Sequence, residues 1–130
     1  MFGFFGSNRG LRHAEANLLK EFALPLSKVP GNDSVKQLFE SMTKESKFSE
    51  EAQCALFYRL VVFNYLAAFK IMRDNGQTIT LEEVLWLPKV LDASVTWSEK
   101  SSDRVQLEQV TSQLNRNIIR FLESFGIRRG

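Results

Sequence analysis

Residues 49–75 read SEEAQCALFYRLVVFNYLAAFKIMRDN. Between Ala52 and Met72 only Gln53, Arg59, Asn64 and Lys70 are neither aliphatic, aromatic nor sulfur-bearing, which leaves little room for a solvated face. Ser49 is placed to accept a hydrogen bond from a free backbone N–H, and Glu50 and Glu51 set negative charge beside the positive end of a helix dipole. Gly76 supplies the stop. The stretch predicts one long helix, apolar nearly all round, and such a helix is either the centre of a globular core or a membrane span. A span needs about 20 mostly apolar residues, and a central arginine costs roughly 2.5–3.5 kcal/mol there. Arg59, Asn64 and Lys70 interrupt the run, so a soluble core helix is the expectation. At about 100° per residue Arg59, Lys70 and Arg73 fall in one narrow stripe. That stripe is expected to snorkel to water along apolar neighbours, with a groove for an acidic partner or a phosphate chain as the alternative. Asn64 is expected to bond within the core, because an unpartnered buried amide costs about 1–3 kcal/mol.

The rest of the composition narrows the class. A chain of 130 residues supports one hydrophobic core and not two comfortable ones. Charged residues at 25% and apolar residues at 44% argue against disorder. A formal net charge of +2 supplies no global field that would select nucleic acid. Cys54, the single cysteine, precludes an intrachain disulfide, and inside an apolar helix it reads as a buried reduced thiol in a reducing, cytoplasmic setting. The opening Met1-Phe2-Gly3-Phe4-Phe5-Gly6 matches neither a secretory signal nor a myristoylation site.

Outward from the central helix, the expectation is an all-α, single-domain helical bundle of four to six helices. Residues 1–10 form a flexible, glycine-interrupted aromatic arm, 11–126 the bundle, and 127–130 a basic tail. Leu11, Ala14, Leu18, Leu19, Phe22, Ala23 and Leu26 recur at steps of three and four, so a first amphipathic helix runs to about Lys28. Pro25 should end or kink it near Leu24 and leave a short offset turn. After the Pro30-Gly31 turn, a second helix spans Ser34 to Lys44, with Asn32, Asp33 or Ser34 as cap, Ser34 and Gln37 matching a capping box, and Val35, Leu38, Phe39 and Met42 buried. Thr80 with Glu83, and Ile79 with Val84, mark a further helix start, with Leu81, Val84, Leu85 and Leu87 facing inward. Pro88 is suited to open a second short helix at an angle. Residues 93–100, where Val95 and Trp97 alternate with polar residues, read as a loop with Trp97 tucked in. A last helix from Ser102 to Phe125 carries the stripe Leu107, Val110, Leu114, Ile118, Phe121, Leu122 and Phe125, stopped by Gly126.

Chemistry is sparse in this sequence. One histidine and one cysteine do not make a metal site, so no metal and no cofactor are expected. His13, near Arg12 and Glu15, reads as a surface residue that sequence alone ties to no nucleophile. Gly3, Gly6 and Gly10 follow no strand and lack the lysine of a phosphate-binding loop. Glu82 and Glu83 point about 100° apart and form no acid pair. The helix after Thr80 presents Glu82, Glu83, Trp86 and Pro88, which are not the side chains that read base edges. By elimination the chain is read as a non-enzymatic interaction module, an adaptor, inhibitor or assembly subunit whose partner is another protein or a second copy. No small-molecule substrate is inferred. Its candidate contact residues are Phe2, Phe4, Phe5, Arg9 and Arg12. The alternatives are nucleic-acid association with phosphate contacts from Arg116, Arg120, Arg128 and Arg129, and membrane-surface attachment through the three phenylalanines.

Overall fold

Helix α3 (Glu50–Asp74) is the axis of the fold. Seen in a computed structural model, which describes the backbone of residues 2–128 and the side chains of residues 9–128, it is unbroken and surrounded by six further helices. These are α1 (Phe2–Phe22), α2 (Asn32–Glu45), α4 (Leu81–Leu85), α5 (Leu87–Lys100), α6 (Arg104–Val110) and α7 (Ser112–Ser124). The architecture is all-α in a single domain, with no strand among the described residues. Cys54 to Val62 is buried without interruption, so the middle of α3 touches neighbours on every side. α1, α2, α5 and α7 supply most of that sheath. By length and composition α3 would also suffice to cross a membrane, and in the fold more than half of its most apolar window is covered by protein.

The ends of α3 follow the local chemistry. Ser49 accepts from the Ala52 N–H at 3.2 Å. At the other end Gly76 adopts φ +90°, and its N–H and that of Gln77 donate to the Arg73 and Met72 carbonyls, closing the two orphan acceptors by a glycine-dependent cap. α7 ends in the same way through Gly126 (φ +83°) and Ile127. α1 stops at Phe22 ahead of Pro25, with Ala23 forced to φ +52°, and Leu26–Lys28 makes the offset turn as a single 3-10 turn. Pro88 lies in the first turn of α5, where its missing N–H is harmless.

Several boundaries differ from the sequence expectations. α1 begins at Phe2, so the backbone of residues 2–10 is helical and not irregular: once Leu11–Phe22 has borne the nucleation cost, each added residue needs only propagation. Gly10 leaves room for the end of the Gln53 side chain of α3, which a Cβ there would displace. α2 starts two residues earlier than Ser34, after Gly31 in the left-handed region, so Ser34 lies within the helix and not at a capping box. Leu38, Leu81 and Leu85 are exposed, and Thr80 makes no side-chain cap. Residues 93–100 are helix and not loop. Leu87, Val90, Leu91, Ser94 and Ser98 form one buried stripe, and reading the two serines as polar surface hid its 3.6-residue period. The last helix is broken at Thr111, whose hydroxyl donates to the Leu107 carbonyl at 2.8 Å, a back-bond that bends helices.

Candidate functional site

The broken joint and the serine stripe meet over Arg59. This arginine is 3% exposed and does not reach water with Lys70 and Arg73, as the stripe on α3 implies. Its Nε donates to the Ser94 Oγ at 3.2 Å, Nη1 to the Thr111 Oγ1 at 3.0 Å and Nη2 to the Glu108 Oε2 at 2.9 Å. Snorkelling fails here because α5 and α6 close over the middle of α3 and offer the guanidinium three acceptors in its own fork geometry. Lys70 and Arg73 lie nearer the open end. Lys70 pairs with Asp74, and Arg73 stacks on Phe125 and donates to the Ser124 carbonyl at 2.9 Å, a cation at the negative end of α7.

Glu108 is the hub of the network. Its Oε2 also accepts from the Ser98 hydroxyl at 2.7 Å, and its Oε1 from the Asn115 Nδ2 at 3.3 Å. Partial burial pulls its pKa upward, but the Ser98 hydrogen bond and the Arg59 guanidinium more than reverse this and hold it below the ordinary carboxylate value. The carboxylate therefore stays ionised and fixes which way Asn115 points, because a turned amide would bring oxygen against oxygen. The Asn115 Oδ1 is left buried with no donor among the described residues. An acceptor stranded in this way costs on the order of 1–3 kcal/mol.

Against this network lies an open cavity of about 500 Å3 between α5 and α7. Leu91, Val95 and Ile119 form apolar walls, Arg59, Glu108 and Asn115 provide the polar part, and Arg128 joins the lining after the Gly126 turn. Arg59 and Glu108 neutralise each other, so among the described residues Arg128 leaves the lining with one positive charge in excess.

A second constellation joins residues that the sequence left apart. The Cys54 Sγ lies 3.6 Å from the His13 Nδ1, and the His13 Nε2 lies 3.9 Å from the Glu50 Oε2. Asn17 donates to the same sulfur at 3.7 Å. A thiol, an imidazole and a carboxylate in this order resemble a nucleophile with its base and orienting acid. The surroundings work the other way: Cys54 is fully buried, and desolvation, aided by Glu21, Glu50 and Glu51, pushes its pKa up to about 12. A thiol kept protonated and covered is a poor nucleophile. Nearby, Glu21 accepts from both the Tyr58 hydroxyl and the Trp97 Nε1, so Trp97 is fastened to α1. Burial, then the Glu21 carboxylate, raises the Tyr58 pKa.

Of the contact residues read from sequence, Phe2, Phe4, Phe5 and Arg129 have side chains outside the described residues. Arg9 is exposed beside Gly10, Thr43 and Lys47, and Arg12 is exposed on α1. Arg116 and Arg120 lie one turn apart on the exposed side of α7, Arg116 bonding Gln113 at 2.9 Å. Among the described contact residues only Arg128 joins the cavity. The network of Arg59, Ser94, Ser98, Glu108, Thr111 and Asn115 is what sequence reasoning missed. Its signal was present as polar residues at helical spacing, Ser94 with Ser98 and Glu108 with Thr111 and Asn115, running beside the apolar stripes of their helices. No family model, no curated protein and no solved structure matches the chain.

Proposed function

We propose that the protein is a non-enzymatic interaction module that binds another protein through the cavity between α5 and α7. The observation that carries this reading is a groove with apolar walls left open over a rigid ion pair. Val95 is 42% and Ile119 37% exposed, while the Arg59 network below them is fixed by hydrogen bonds from three helices. Apolar side chains over a polar floor already held by hydrogen bonds suit a recognition surface, since less ordering remains to oppose binding. The covered, protonated state of Cys54 supports the non-enzymatic part of the reading.

Val95→Glu and Ile119→Glu test it. Both positions are exposed enough to accept a charge without entering the core, so helicity should be unchanged. Each variant is expected to lose, in the native host, the protein that copurifies with the unaltered chain. A complex that survives both substitutions removes the groove from the proposal. A second reading draws on Arg116 and Arg120, exposed one turn apart on α7, as phosphate contacts without sequence readout. It requires binding to duplex nucleic acid that falls steeply with salt, and binding insensitive to salt eliminates it.

A further inference from the structure

We infer that the groove between α5 and α7 receives the free C-terminal end of a partner's chain, with an apolar last residue. The inference rests on the interaction reading above and names its ligand chemistry. Three features on one surface lead to it. Among the described residues, Arg128 is the one charge in the lining without an opposite charge in the lining to balance it, so the ligand should carry a negative charge. Beside it the groove offers an acceptor with room for a further donor: the Glu108 Oε1, on a side chain 40% exposed and held among the described residues only by the Asn115 amide at 3.3 Å. The ligand should therefore bring an N–H close to its anionic group. Leu91, Val95 and Ile119 then ask for an apolar body next to both.

A chain terminus combines these in one residue: an α-carboxylate, its own amide N–H and an apolar side chain. Capture of a terminal carboxylate by a cation, with the adjoining backbone bonded to fixed acceptors, is a recurrent way of recognising peptides. The openness of the groove decides between a chain end and a free small acid of similar chemistry. Sites for small molecules cover about 70–90% of their ligand. Here Val95 and Ile119 remain more than a third exposed, and the Glu108 side chain is 40% exposed, so the groove covers one side of its ligand and lets a chain run out. Arg59 does not touch this ligand. It is a positioning residue that holds Glu108 ionised and aimed.

The test is binding, by fluorescence anisotropy and heteronuclear NMR, of six-residue peptides ending in Leu, Ile, Val, Phe or Met, each as the free acid and as the C-terminal amide. At least one free acid is expected to bind and to shift the backbone amide signals of residues 91–95 and 115–119. Its amide should bind at least 10-fold more weakly. Arg128→Gln should reduce the gap between acid and amide to about twofold or less while the protein stays folded. Methylation of the last peptide nitrogen should weaken the acid a further several-fold, which a purely ionic contact would not do. Equal affinity for acid and amide overturns the inference, as does the failure of every peptide to bind. N-acetyl-leucine binding as tightly as the best hexapeptide overturns it in favour of a free small acid. If these results fail while Val95→Glu and Ile119→Glu still release the native partner, the interaction reading stands and this ligand assignment falls. If the native complex survives those substitutions, the interaction reading itself falls.

Discussion

At the scale of the residue, one buried arginine ties three distant segments of the chain together. Arg59 lies at the middle of the most hydrophobic helix, and its burial is tolerated because Ser94, Thr111 and Glu108 meet its N–H groups. The consequence for acid stability has a definite sign. Glu108 has a folded pKa depressed below its unfolded value, so the native state binds fewer protons than the unfolded chain as the pH enters the carboxylate range. The stability it contributes is fully present above the unfolded carboxylate pKa and is lost as the pH falls through the lower, folded one. Glu108→Gln should accordingly flatten the acid limb of a stability–pH profile measured by urea unfolding, and leave a lower, less pH-dependent plateau near neutrality. A variant that shows the unaltered acid limb would assign that limb to other carboxylates.

At the scale of the element, the ends of helices are set locally and their neighbours are not. The glycine caps of α3 and α7 and the proline-imposed end of α1 need only a few residues each, and each was legible in sequence. One of these ends carries strain. Ala23 holds φ +52°, a conformation that costs an L-residue with a Cβ about 1–2 kcal/mol and costs glycine nearly nothing. Ala23→Gly should raise stability by about 0.5–1 kcal/mol, after allowance for the greater freedom of glycine in the unfolded chain. The urea midpoint reads this directly, and a drop would show that the strain is relieved elsewhere. The start of α3 behaves differently. Ser49 caps it, yet Asp103, 54 residues further on, takes the Ser49 N–H at 2.8 Å and its hydroxyl at 2.7 Å, so the beginning of α6 clamps the beginning of α3. No local pattern announces such a partner.

At the scale of the whole molecule, every helix depends on one axis. α1, α2, α5 and α7 lay their apolar faces on α3, and the two tryptophans report from different heights along it: Trp86 packs on Tyr65 of α3, and Trp97 bonds Glu21 of α1, which also accepts from Tyr58 two turns before Tyr65. A core with a single shared member should melt as one unit. Helix content by circular dichroism and tryptophan fluorescence are expected to give coincident urea transitions. Separate midpoints would mean that part of the sheath is an independent unit. The groove belongs to this scale as well, since its walls come from α5 and α7, its floor from α3 and α6, and its cation from the turn after Gly126.

The sequence by itself determined what depends on short-range pattern: an all-α fold, one long apolar axis over Ser49–Asn75, the stops at Gly76 and Gly126, and the break at Pro25. Periodicity and backbone chemistry act within a turn or two of helix, and a window of sequence contains them whole. Only the tertiary structure decided that Arg59 is enclosed, that Ser94 and Ser98 face inward and extend α5 through residues 93–100, and that Thr111 breaks the last helix. A polar side chain is surface or core according to whether a partner from a distant segment arrives to satisfy it, and that partner is fixed by packing and not by neighbours in the chain.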